Sequence, residues 1–187
     1  MENQRVYLTK KLLEKALIEL LKTKSIYDIS IRELCDVAMI NRSTFYKHFS
    51  SQFELLNYME DNLLERVSSY LKFPSNSVEA ITKNLVSVLK YLKENKDFSK
   101  LLLNNNVDKN FPNKFLSVPG ITNAISSSVG PEIKEPIRAY YISFLVAGCF
   151  SVIKTRLNNN CVTNENIIAS LLVNITMMNG VEHENSN

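Results

Sequence analysis

Residues 41–51 carry hydrogen-bond donors and cations but no carboxylate. Arg42, Ser43, Thr44, Tyr46, Lys47 and His48 supply a guanidinium, three hydroxyls, an ammonium and an imidazole. Such a set suits a polyanion that is rich in acceptors. Phe45 and Phe49 stand four residues apart, so on a helix they share one face and turn inward together. The polar side chains are then held outward. A helix over residues 42–48 is roughly 10 Å long at about 1.5 Å per residue, short enough for a major groove about 12 Å wide. Arg42 and Thr44 are placed for base edges, and Tyr46, Lys47 and His48 for phosphates. Ser30 and Ser51 each open a helix, where free backbone N–H groups and the helix dipole favour an anion. The chemistry expected of this segment is the binding of double-stranded DNA.

The elements that must hold these residues are legible as helices. Leu13, Ala16, Leu17, Leu20 and Leu21 repeat at helical spacing and predict a helix over 9–23. Ser30-Ile31-Arg32-Glu33 reads as a capping box that starts a second helix, with Ile31, Leu34, Cys35 and Ala38 as its inner stripe. Met39 and Ile40 form a corner, and Asn41 is placed to cap the third, short helix. A second capping box, Ser51-Gln52-Phe53-Glu54, starts a fourth helix with Leu55, Leu56, Met59, Leu63 and Val67 inward. The run Phe73-Pro74-Ser75-Asn76 punctuates the chain, which divides it into domains 1–73 and 74–187. Beyond it a fifth helix follows the stripe Val78 to Leu92, and a sixth covers 97–104. Residues 105–120 read as loop with one turn of helix, and a weak helix covers 121–128. A long helix is expected from Pro131, in its first turn, to about Leu157. A last helix covers 164–178. The fold class is all-α with about nine helices.

The totals narrow the function classes. Net charge is +3, and nine Lys/Arg against six Asp/Glu in residues 1–50 account for all of it, because the remainder balances at thirteen each. The three cysteines, Cys35, Cys149 and Cys161, are far apart with no metal-ligand spacing. Cys35 and Cys149 read as small buried hydrophobes. The two histidines are His48, in the short basic helix, and His183, in the tail. Phosphate-loop and catalytic patterns are missing from the sequence, so neither an enzyme nor a cofactor is expected. The longest apolar run, residues 139–153, is shorter than the roughly 20 residues of a membrane span. The N-terminus has no signal-peptide core. A cytoplasmic location without membrane attachment is expected.

Residues 29–35, together with Asn41-Arg42-Ser43-Thr44-Phe45-Tyr46-Lys47-His48-Phe49, closely resemble the signature of the TetR family of transcriptional regulators. Residues 16–21 resemble the family's first helix, and Glu54-Leu55-Leu56 its fourth. The resemblance covers residues 8–60. It implies an all-α homodimer with an N-terminal helix-turn-helix head, whose C-terminal bundle dimerises through its last two long helices and holds a ligand pocket. It implies a repressor that binds operator DNA and is released by an effector. Three positions depart from the pattern. Met39 replaces the corner glycine, Ser25 the glycine before the second helix, and Gln52 the lysine at the start of the fourth. A left-handed backbone costs a non-glycine residue about 1 kcal/mol, so a differently shaped corner is expected at Met39.

The C-terminal domain resembles a TetR subgroup, the regulators of dihydroxyacetone kinase operons, some of which answer to a protein partner. Two effectors therefore stand side by side: a small molecule in an enclosed pocket, or a protein docked on the C-terminal domain. Tyr140, Tyr141, Ser143, Cys149 and Asn174 are polar groups in apolar helices and are the candidate pocket residues. Gly148 would allow close helix approach at a dimer interface.

Overall fold

The computed structural model describes residues 2–71, 77–104 and 107–177. These residues form ten α-helices and one 3-10 turn, with no strand among them. The expected domain boundary at 73/74 lies outside the described residues.

The N-terminal part is built from α1 (Glu2–Leu21), α2 (Ile31–Ala38), α3 (Arg42–Phe45) and α4 (Gln52–Leu71). The inner stripe expected for α1, Leu13, Ala16, Leu17, Leu20 and Leu21, is buried, and it packs on α2, α4 and α6 (Lys96–Leu103). The helix starts at Glu2, seven residues before the expected start at residue 9. The Ser25–Ile29 connection is a 3-10 turn over Ile26–Asp28, capped by the Ser25 hydroxyl.

The C-terminal part adds α5 (Val78–Glu94), α6, α7 (Phe111–Leu116), α8 (Pro119–Ser128), α9 (Ile137–Asn158) and α10 (Glu165–Met177). A single apolar cluster runs from Leu13 in α1 to Leu172 in α10, so head and bundle share one core. Each fully buried leucine or phenylalanine in it contributes about 1.5–3 kcal/mol. The buried Arg156 guanidinium ties three elements together. It donates to the Leu89 carbonyl at 3.2 Å, to the Thr163 carbonyl at 3.1 Å and to the Glu165 carboxylate at 3.2 Å.

One expectation is refined and one corrected here. Residues 105–120, read as loop with one turn of helix, contain the six-residue α7, with Pro112 in its first turn, where its missing N–H is harmless. The long helix begins at Ile137 rather than Pro131, because Pro136 would lack an N–H and crowd the preceding turn inside a helix. Arg138, just inside α9, donates to the carbonyls of Ser126, Val129 and Gly130 at 2.7–3.0 Å, which caps the open end of α8. By length and composition α9 is also apolar enough to cross a membrane, contrary to the reading from its shorter apolar run. It packs on α5, α6, α8 and α10 and leaves Tyr140 and Phe144 exposed on one face.

Candidate nucleic-acid interface and C-terminal cavity

The short helix is pinned from below by aromatic packing. Phe45 and Phe49 are buried, with ring centroids 6.0 Å apart. Phe49 also meets Tyr58 of α4 at 5.4 Å, and the Lys10 ammonium of α1 caps the Tyr58 ring at 4.3 Å. Regular α-geometry lasts four residues, not the seven expected. It then tightens: Lys47 and His48 donate to the carbonyls three residues back, Thr44 and Phe45, and Phe49 donates to Phe45. Asn41 occupies the cap position but makes no side-chain capping bond.

Arg42, Ser43, Tyr46 and Lys47 are exposed on the outer side, while Thr44 and His48 are half-buried. Among the described residues, Arg42 and Lys47 lie beyond ion-pair distance of any carboxylate, so their charge is uncommitted. The corner keeps the left-handed shape in spite of its methionine: Met39 has φ 53° and ψ 41°. The expectation of a different shape fails because the surrounding bonds fix the turn. Met39 N–H donates to Asp36 and Ile40 N–H to Cys35, which satisfies the last carbonyls of α2. The Met39 side chain is 89% exposed.

Ser30 and Ser51 both cap as expected, each hydroxyl accepting from the N–H three residues on at 3.2 Å. The reciprocal half of each box differs. Glu33 turns to Lys24. Glu54 accepts from the N–H and the hydroxyl of Ser50, both at 2.6 Å, and these two bonds hold its carboxyl below the usual range. The N-terminus of α4 therefore already faces one anion, and that of α2 is the more open of the two. Sequence reasoning missed the contact joining these regions: exposed Tyr27 leans on Phe53, with centroids 5.3 Å apart. No short-range periodicity announces that pair, which is 26 residues apart in sequence.

Towards the C-terminal part, α4, α5 and α7 to α10 line a partly open cavity of about 610 Å³, within the ~300–1,000 Å³ typical of small-molecule sites. Leu71, Leu85, Phe115, Ile121, Phe150 and Ile153 supply much of its apolar wall. Of the five candidate pocket residues, Cys149 lines this cavity, and burial pushes its thiol pKa up. Tyr141 packs with a small cluster around Leu145. Tyr140, Ser143 and Asn174 face outward instead, since α9 and α10 turn those positions away from the bundle. Gly120 allows α8 to touch α4, because a Cβ there would fall 2.4 Å from Leu71 Cβ.

Known proteins share the fold of this chain and, over its C-terminal part, its family. Residues 79–178 match the TetR-type family described as transcriptional regulator C-terminal region. Over 113 residues the chain is 31% identical to the HTH-type dhaKLM operon transcriptional activator DhaS of Lactococcus lactis, covering 58% of this chain and 55% of the relative, about half its length. A TetR transcriptional regulator from Streptococcus agalactiae superposes with TM-score 0.67 at 20% identity, over 94% of this chain and 97% of that one. A FadR repressor of Thermus thermophilus, solved in complex with lauroyl-CoA, gives TM-score 0.55 at 13% identity, over 95% and 98%.

Proposed function

Because the chain belongs to the TetR family of transcriptional regulators, we propose that it binds double-stranded operator DNA as a homodimer and that an effector in the C-terminal domain modulates this binding. The head, residues 1–73, does the binding, and residues 74–187 dimerise and sense. The observation that carries the reading is the division of one short segment: Phe45 and Phe49 buried, with Arg42, Ser43, Tyr46 and Lys47 outward and uncommitted. Arg42 and Thr44 then read base edges, and Tyr46, Lys47 and His48 hold phosphates. The backbone N–H groups after Ser30 and Ser51 flank them.

Dimerisation is supported by the apolar face that α9 and α10 leave uncovered, with Ile137, Tyr140 and Phe144 on one helix and Ile167 and Leu171 on the other. Space at Gly148, where a Cβ would meet nothing within 4 Å, suits close helix approach. The same face accounts for the apolar length of α9 without a membrane. The apolar cavity, open to solvent on one side, favours a small-molecule effector over a docked protein. A dimer lying across a promoter excludes polymerase, which makes the chain a repressor working in the cytoplasm. Deleting its gene raises expression from its target promoter; a fall instead makes it an activator, as the Lactococcus relative is named.

Footprinting on the chain's own promoter DNA tests the interface. Two protected half-sites about one helical turn apart, or a small multiple of that, are expected. A uniform ladder at every protein concentration contradicts the reading.

A further inference from the structure

We propose that the cavity is built for an uncharged ligand: an apolar body bearing one neutral hydrogen-bonding group, such as an alcohol, ketone, ester or amide. This rests on the effector reading above and narrows it to a chemical class. Among the described residues, no Lys, Arg, His, Asp or Glu side chain lines the cavity. A carboxylate or phosphate entering it would leave water without meeting a counter-charge. The polar groups present are neutral, and they divide into two kinds. Ser127 and Thr176 spend their hydroxyls on helix carbonyls, Ser127 on Ala124 and Thr176 on Leu172 and Val173. Ser68 of α4, Asn84 of α5 and Asn123 of α8 line the cavity with side chains that make no hydrogen bond among the described residues. Together they offer donors and acceptors of the kind that meets a hydroxyl or carbonyl.

The nearby cations do not change this balance. A more open, polar pocket shares Ser68 and Pro119 with the cavity and carries Arg66 and Lys114. Lys114 is committed to two carboxylates, Glu60 and Asp108, both at 2.8 Å. Arg66 lies over the Tyr70 ring, 5.1 Å from its centroid, and is exposed to solvent in that open pocket, outside the lining of the cavity. An anionic head held inside the cavity meets no cation among the described residues. The chain thus differs in ligand class from the structural neighbour solved with lauroyl-CoA.

Titration calorimetry on the full chain with decanol, decanoate and decanoyl-CoA separates the classes by holding the alkyl chain constant. Decanol is expected to bind at one site per chain and at least about tenfold more tightly than either anion. Ser68→Ala with Asn84→Ala weakens decanol binding about five- to tenfold, the size of a lost neutral hydrogen bond, with the melting temperature of the free protein checking the fold. Ala124→Trp, which fills the cavity, abolishes it. Decanoate or decanoyl-CoA binding as tightly as decanol overturns the inference, and so does the failure of all three to bind. DNA retardation by the unliganded protein is measured alongside. If it persists while no compound binds, only the ligand assignment falls; if it is missing, the regulator reading falls.

Discussion

The ring of Tyr46 meets that of Phe45 edge-on, with centroids 5.5 Å apart at 84°, yet Phe45 is fully buried and Tyr46 is 58% exposed. Adjacent residues thus divide the labour of anchoring and presenting. Tyr46→Ala combined with Lys47→Ala is expected to abolish retardation of promoter DNA while the far-UV circular dichroism spectrum stays unchanged. Phe45→Ala removes a core ring and costs about 3–5 kcal/mol in a denaturant titration. Full DNA binding by the double variant would remove those two residues from the interface.

Met39 holds φ 53° with its side chain in solvent. Met39→Gly relieves the left-handed penalty without losing any core packing. A gain of about 1 kcal/mol is expected, which for a chain of this size raises the melting temperature by about 2–4 °C. A drop in melting temperature would mean that the corner owes more to the exposed methionine than its contacts reveal.

Glu54 sits at the N-terminus of α4 and is held ionised by Ser50. Its charge opposes a phosphate approaching that helix end. Glu54→Gln is expected to tighten DNA binding about threefold at low salt, measured by fluorescence anisotropy. Weaker binding would show that α4 does not approach the DNA backbone.

Glu60 of α4 is buried and accepts from Lys114 of α7 at 2.8 Å, while its other oxygen has no hydrogen-bond partner among the described residues. Burial raises its pKa, and the Lys114 hydrogen bond only partly offsets this. As pH rises from about 4.3, the unfolded chain ionises this group first while the folded chain keeps its proton. Stability from Glu60 is therefore complete below that pH and lost as pH climbs through the folded value. Asp108 has the opposite sign. Burial works against its charge, but bonds from Lys114 and the Asn110 N–H outweigh that and lower its pKa, so its stability is lost on acidification. Glu60→Gln isolates the first effect: urea midpoints taken between pH 4.5 and 7 fall less steeply with rising pH than in the parent. Lys114→Met strands the carboxylate and costs about 1–3 kcal/mol near neutral pH, reduced by the partial exposure of the ammonium. Glu60→Gln in that background recovers part of the loss. An unchanged pH profile in Glu60→Gln would place its proton affinity at the ordinary value.

The head was legible in the sequence because its signals are local. Ser30 and Ser51 announce helix starts, and the stripes of α1, α2 and α4 fall where the periodicity puts them. Phe45 and Phe49 share a buried face as their spacing of four requires. The C-terminal domain was less legible for a physical reason. The centre of α9 is apolar all round, so periodicity cannot separate the side facing the cavity from the side left uncovered. Cys149 falls on one and Tyr140 and Phe144 on the other. Pro112, taken for a loop marker, starts α7, and Pro136 rather than Pro131 sets the start of α9. The neutral polar groups of the cavity, Ser68, Asn84 and Asn123, come from three helices far apart in sequence. Only packing brings them together.

The most direct test is the affinity of the unliganded protein for its own promoter duplex, followed by anisotropy from 50 to 200 mM salt. The logarithm of the binding constant should fall linearly with the logarithm of salt concentration, with a slope of about −0.9 for each phosphate neutralised. Lys47→Ala should make that slope shallower by about one such contact per protomer. An affinity that does not change with salt, or a slope unaltered by Lys47→Ala, would contradict the assignment of this exposed cationic surface to the phosphate backbone.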